Sequence, residues 1–319
     1  MKPVFVHDPG YDIRIPLLDR LHPFDGRKFS RAHALASRLI GERCLTLTET
    51  PGVAVDDEAL LRVHTPEYLA SLSDPRVVAQ ALEVGLLRML PRALIRERIL
   101  QPMRLAVAGT MLATRRALEG AIAMNFGGGF HHAFADHGEG FCLYADVAVA
   151  IAAARATNLL AASDAIAIVD LDAHRGNGVW ELCGADPAVR IFDVYNFQAY
   201  PGLFPGDIEA YPFQIPVKAG TRDDHYLAIV RDELPAFLDQ HPLPRLAVYN
   251  AGTDIVAGDR IGGLAVSPEG VNLRDRLVVR ALAERGIPTL VVTSGGYTEM
   301  SHRLVAQLAV EIAEALPAA

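Results

Sequence analysis

Apolar residues in this chain fall into two alternating kinds of segment. Short runs bounded by glycine or polar residues read as strands, at residues 4–6, 121–125, 165–169, 190–194, 246–250 and 289–293. Longer Ala/Leu-rich stretches read as helices, at residues 105–120, 147–160, 224–238, 271–285 and 301–316. Strand and helix in alternation is the pattern of βαβ units with right-handed crossovers, which predicts a mostly parallel α/β sheet covered on both faces. The stretch from Asp193 to Lys218 is rich in Pro, Gly and aromatic residues and has no helical period. It predicts a long functional loop on the substrate rim.

Four of the strand-like runs end in residues suited to metal or acyl chemistry. Residues 121–125 lead into three glycines, Phe130, His131 and His132; residues 165–169 lead into Asp170, Asp172 and His174; residues 246–250 lead into Asp254; residues 289–293 lead into Ser294 and Tyr297. Ligands of open parallel sheets bind beyond the carboxyl ends of the strands, so these residues are predicted to share one pocket. Alternate residues of an extended segment project to the same side, which lets Asp172 and His174 address one ion while Asp254 arrives from another strand. Two carboxylates and one imidazole leave a tetrahedral site one position short, the arrangement of a catalytic zinc. Any one of these residues alone also reads as a helix cap or a satisfied loop residue. His131 and His132, taken alone, read as exposed loop histidines or as a general base placed by the flexible glycines Gly127, Gly128 and Gly129.

Composition narrows the class further. The chain has 319 residues, 51% hydrophobic and 21% charged, with no linker or low-complexity stretch, which predicts one domain spanning 1–319 and argues against disorder. A net charge of -8 provides no footprint for direct nucleic-acid binding, and the arginines at 92–98 and 115–116 read as solvated helix faces. Three widely spaced cysteines, Cys44, Cys142 and Cys183, predict neither a disulfide framework nor a thiolate metal site, and fit a reducing cytoplasm. No apolar run reaches the roughly 20 residues that span a bilayer, and the N-terminus lacks a signal-peptide core.

Several motifs in order resemble the zinc-dependent histone deacetylase superfamily. They are Gly-Gly-Gly-Phe-His-His (127–132), Gly-Phe-Cys (140–142), Asp-Leu-Asp-Ala-His-Arg-Gly-Asn-Gly (170–178), Asn-Ala-Gly-Thr-Asp (250–254), Gly-Asp-Arg-Ile-Gly-Gly-Leu (258–264) and Thr-Ser-Gly-Gly-Tyr (293–297). Within it, Asp-Ala-His-Arg-Gly-Asn-Gly and the early His22-Pro23-Phe24-Asp25 are most similar to class IV.

The resemblance implies an arginase-deacetylase fold, three-layer α/β/α with an eight-stranded, mostly parallel sheet. It implies removal of acetyl or longer fatty acyl groups from lysine side-chain amines of proteins. Asp172, His174 and Asp254 match the zinc ligands, and His131 and His132 the tandem histidines beside the catalytic water. Tyr297 matches the donor to the scissile carbonyl, and Asp170 the carboxylate that orients the first histidine. Gly140 and Phe141 match the substrate channel, whose opposite wall falls to Tyr200, with Phe204 the alternative in the repeated Pro-Gly stretch. Two departures from the class I pattern stand out. Arg175 and Asn177 replace a His and an Asp, so His132 is expected to be oriented by a neutral amide, as in class IV. Asp193 stands where class I has a serine in the structural potassium site, which here would involve Asp170, Asp172, His174 and Asp193.

Three other readings compete. An acetylpolyamine deacetylase shares the catalytic residues. A binuclear ureohydrolase needs carboxylates that Arg175 and Gly176 do not provide. A non-catalytic acyl-lysine binder would lack a ligand or the tyrosine.

Overall fold

A computed structural model describes residues 1–15, 25–203 and 213–316. Eight strands form one sheet in the order β2-β1-β3-β8-β7-β4-β5-β6. In chain order they are β1 (Lys2–Val6), β2 (Thr48–Glu49), β3 (Ala121–Asn125), β4 (Ile166–Asp170), β5 (Val189–Asn196), β6 (Gln214–Val217), β7 (Leu246–Asn250) and β8 (Thr289–Val292). Every neighbouring pair is parallel.

The near-continuous apolar runs are explained by two cores, one on each face of the sheet. Ala167 and Val169 of β4, Ala247 and Tyr249 of β7, and Phe192 and Val194 of β5 belong to the core under the helices Lys28–Ile40, Asp223–Leu238, Pro268–Glu284 and Ser301–Ala315. Ile166 and Ile168, Leu246 and Val248, and Ile191 face the other way, onto the helices Gln101–Leu118 and Asp146–Ala156. Successive side chains of a strand point to opposite faces, so a strand covered on both sides must be apolar at every position. The three layers α/β/α follow directly. A third apolar cluster joins the short helices between residues 57 and 100 to Leu143, Tyr144 and Val149, and it borders the site.

Two expectations change. The segment from Asp193 to Lys218 is not one loop: Asp193–Asn196 continue β5, and Gln214–Val217 form the edge strand β6. Pro216 is tolerated there because an edge strand leaves one row of backbone groups unpaired. The early His22, Pro23 and Phe24 and the alternative channel residue Phe204 lie outside the described residues.

Register brings the chemistry to one level. Asp170 pairs with Asn250 on one side and Asp193 on the other, while Asn250 pairs with Val292. The carboxyl ends of β4, β5, β7 and β8 therefore finish side by side, with β3 next to β8.

Candidate metal centre and active site

Asp172, His174 and Asp254 come together, all buried, with one potential ligand atom from each lying within 4.8 Å of the others. The chain beyond β4 is not extended as expected. It bends through two successive turns in which Asp170 Oδ1 accepts from the Asp172 amide at 3.2 Å and Asp172 Oδ1 from the His174 amide at 3.0 Å. These side-chain-to-backbone turns, which aspartate favours, place the Asp172 carboxylate and the His174 ring on one point. His174 Nδ1 lies 3.0 Å from Asp172 Oδ1 and 2.9 Å from Asp254 Oδ2, while its Nε2 faces the Ile261 carbonyl at 3.3 Å. A donor bond from Nε2 leaves Nδ1 as the ligand atom.

The remaining carboxylate oxygens are held by the loops after β8 and β4. Asp172 Oδ2 accepts from Ser294 Oγ at 2.6 Å and from the Gly295 amide at 2.8 Å, and Asp254 Oδ1 accepts from the Ala173 amide at 2.9 Å. Asp254 Oδ2 is fully buried and, among the described residues, takes no well-directed hydrogen bond. A buried carboxylate oxygen without a partner is costly unless a cation fills its place, so this donor set fits a divalent metal. Gly295 is required by close approach, since a Cβ there would stand 2.3 Å from Asp254 Oδ2 and 2.5 Å from Asp172 Oδ2.

The tandem histidines approach from the loop after β3. Asp146, buried on the facing helix, accepts from the amides of Gly129 at 2.9 Å and Phe130 at 2.8 Å and from Thr110 Oγ1 at 2.7 Å. That fixes the turn from which His131 and His132 project. His131 Nδ1 lies 2.9 Å from Asp170 Oδ2, and Asn250 Nδ2 donates to the other Asp170 oxygen at 2.9 Å. Burial pushes the His131 imidazole down, but the carboxylates of Asp170 and Asp172 outweigh it and raise it to about 9. His132 Nδ1 instead meets Asn177 Oδ1 at 2.6 Å. Burial, then the imidazoles of His131 and His174, push His132 well below its ordinary value.

Tyr297 is placed by its amide, which donates to Asp259 Oδ2 at 2.8 Å, while Asp259 Oδ1 accepts from the amides of Ile261 and Gly262. Burial, with the carboxylates of Asp254 and Asp172, holds its phenol well above the usual range, so it stays a donor. Phe141 packs edge-on to Tyr297 at 5.6 Å between ring centroids, and Tyr200 stands edge-on to His132 at 5.3 Å. Gly140, at φ +49°, turns the chain so closely over His132 that a Cβ would lie 2.4 Å from its ring. An apolar cavity of about 90 Å³ runs from Gly140 and Phe141 past His131, His132 and Tyr297 to Tyr11, Phe29 and Met103.

Asp193 ends up beside Asp170 with Oδ2 accepting from Trp180 Nε1 at 2.9 Å and from the Gly176 amide at 3.2 Å. Its Oδ1 is buried and unpartnered among the described residues, and burial followed by the Asp170 charge raises the carboxyl to about 8.

Five residues beyond the predicted set complete the site: Lys28, Asp146, Glu139, Asn250 and Asp259. Buried Lys28 donates to the Ser294 carbonyl at 2.5 Å and the Gly295 carbonyl at 3.3 Å, pinning the loop that holds Asp172. An acidic first residue on an apolar helix reads as a cap, and a lysine in an N-terminal helix reads as surface. Only tertiary structure shows that each reaches the site.

Residues 22–313 match the family model for the histone deacetylase domain. Histone deacetylase 2 of Arabidopsis thaliana is 38% identical over 309 residues, covering 96% of this chain and 77% of that protein. An uncharacterized protein of Picosynechococcus sp. is 33% identical over 302 residues, covering 94% of each. Among solved structures, an HDAC homolog from Aquifex aeolicus superposes with a TM-score of 0.75 at 22% identity, over 98% of this chain and 84% of that one. An HDAC homolog complexed with SAHA gives a TM-score of 0.76 at 22% identity with the same coverage. These two likenesses concern the fold.

Proposed function

The chain belongs to the histone deacetylase family of hydrolases, and on that premise we propose that it is a class IV zinc-dependent lysine deacylase whose residues 1–319 form one catalytic domain. The observation that carries this reading is the buried Asp172, His174 and Asp254 set beside an apolar cavity walled by His131, His132 and Tyr297. The neutral partner Asn177 and the motif Asp-Ala-His-Arg-Gly-Asn-Gly support class IV.

Asp172, His174 and Asp254 would hold the zinc, which when bound supplies Lewis acidity towards the amide oxygen and acidifies a water towards neutral pH. His132 is neutral and has Nδ1–H committed to Asn177, so its Nε2 takes the proton of the attacking water and returns it to the leaving lysine amine. His131 is paired through Nδ1 with Asp170, has Nε2 3.6 Å from Asp172 Oδ1, and stabilises charge beside the reacting groups. The Tyr297 hydroxyl donates to the carbonyl oxygen as negative charge builds on it. Gly140 and Phe141 form one wall of the lysine channel and Tyr200 the other. Apolar walls suit an acyl group, since each buried methylene contributes about 0.8 kcal/mol.

The unpartnered Asp193 oxygen supports a potassium ion at Asp170, Asp172, His174 and Asp193, because a cation there would offset two buried carboxylates placed side by side. No described helix is long and apolar enough to cross a membrane. Three buried free thiols fit a cytoplasmic location, and the acidic net charge favours a protein or peptide substrate over nucleic acid. The test is a panel of lysine peptides carrying acetyl to myristoyl groups, set against acetylpolyamines. Zinc-dependent hydrolysis of the peptides is expected, whereas a clear preference for acetylpolyamines would assign the small-molecule reading instead.

A further inference from the structure

Glu139 stands at the rim of the site and serves none of the roles described above. Its Oε2 accepts from two neighbours, Asn177 Nδ2 at 3.3 Å and the Tyr200 hydroxyl, and that hydroxyl is itself 3.5 Å from Asn177 Nδ2. The other oxygen, Oε1, faces His137 Nε2 at 3.4 Å, and His137 in turn pairs with Asp136 at 2.6 Å. The backbone at Glu139 is pinned, since its carbonyl accepts from the Cys142 amide at 2.7 Å and Gly140 closes directly over His132. The side chain therefore reaches Asn177 from a fixed base rather than from a free loop.

A primary amide has a carbonyl end and an NH₂ end of almost the same shape, so its partners alone decide which end faces which way. At Asn177 the choice has a chemical consequence. With Oδ1 towards His132, the imidazole must carry its proton on Nδ1, and Nε2 keeps a lone pair. With the amide reversed, Nδ2 would donate to His132 Nδ1, the proton would move to Nε2, and that nitrogen could no longer accept one. A hydroxyl such as that of Tyr200 both donates and accepts, so it tolerates either orientation. A carboxylate only accepts.

We propose that Glu139 is a positioning residue which fixes the amide of Asn177 and, through it, the Nδ1–H tautomer of His132. The chain thus places a carboxylate one residue further out than a direct His–Asp pair would, with an amide between. It sets the tautomer without putting a negative charge against the imidazole. The same carboxylate anchors the Tyr200 hydroxyl, so the wall of the channel and the base are set by one group. The inference rests on His132 being the proton acceptor, and its test includes a reading that does not depend on turnover.

In zinc-loaded protein acting on an acyl-lysine peptide, Glu139→Ala should lower kcat by about tenfold, the lower end of what loss of an orienting partner costs, with zinc content and KM unchanged. Glu139→Gln offers a carbonyl at the same place but can also turn its NH₂ end towards Asn177, so it should restore only part of what alanine loses. In an Asn177→Asp background, where residue 177 can only accept, Glu139→Ala should cost nothing further. Imidazole ¹⁵N shifts give the independent reading: His132 as Nδ1–H in the wild type, with the Nε2–H form appearing in Glu139→Ala and to a smaller extent in Glu139→Gln. An unchanged His132 tautomer in Glu139→Ala would overturn the proposal. So would an equal loss of kcat in both backgrounds, or a loss confined to KM, which would make Glu139 a substrate contact. Absence of hydrolysis in the wild type would instead count against the deacylase reading, leaving the ¹⁵N result to stand or fall by itself.

Discussion

His131 and His132 are adjacent in sequence, both buried, with ring centroids 4.1 Å apart, and yet they belong to two differently built regions. His131 faces the floor of the site, where Asp170, Asn250 and Asp172 gather at the ends of β4 and β7. His132 faces the rim, where Asn177, Tyr200 and Glu139 meet. On the floor a carboxylate touches the ring directly and favours imidazolium. At the rim an amide touches the ring and the carboxylate is held one step away, so burial wins and the ring stays neutral. The difference teaches how two identical side chains acquire different electrostatic settings from the partner each is given, which is the basis of the separate tasks proposed for them.

The comparison breaks most completely if the zinc proposed for Asp172, His174 and Asp254 is removed. Exhaustive chelation, or Asp254→Asn, is expected to abolish acyl-lysine hydrolysis, with activity returning to chelated wild type at one zinc per chain. Full activity without metal, or two ions per chain in this pocket, would refute the ligand set. A smaller break separates the histidines. His132→Ala should cost about 10²- to 10⁴-fold in kcat as a lost proton-transfer group, and His131→Ala should cost less, with both variants folded by circular dichroism. The reverse order would exchange their roles. Tyr297→Phe leaves both rings in place and isolates the oxyanion donor, for which about 10²- to 10³-fold in kcat is expected at unchanged zinc content. Turnover near wild type in that variant would remove Tyr297 from the chemistry.

What the sequence made legible follows the same division between floor and rim. The floor is built from strand ends, and a strand covered on both faces announces itself as a short apolar run, so β4 was placed within one residue and the polar residues at its end stood out. The edge strands were harder, because Thr48–Glu49 is too short to show a period and Gln214–Val217 contains a proline. Asp172 and His174 do come together, but by a different geometry, since the chain there turns where an extended segment was expected. Positioning residues were missed for a physical reason: Lys28 and Asp146 act on backbone groups far away in the chain, and no spacing rule encodes a contact with a distant carbonyl or amide. Glu139 was invisible for the opposite reason, as one acidic residue in a polar loop.

The rim claim, that His132 is the base and that burial keeps it neutral because its partner is an amide rather than a carboxylate, is tested most directly by kcat/KM against pH for the wild type and Asn177→Asp. A carboxylate at 177 would stabilise imidazolium and raise the His132 pKa, and a base must be unprotonated to act, so activity should begin to fall at higher pH on the acid side. The account predicts that the acidic limb of Asn177→Asp moves to higher pH while its zinc content stays at one per chain. A limb that does not move, or that moves to lower pH, would contradict the assignment of His132 and of Asn177 together.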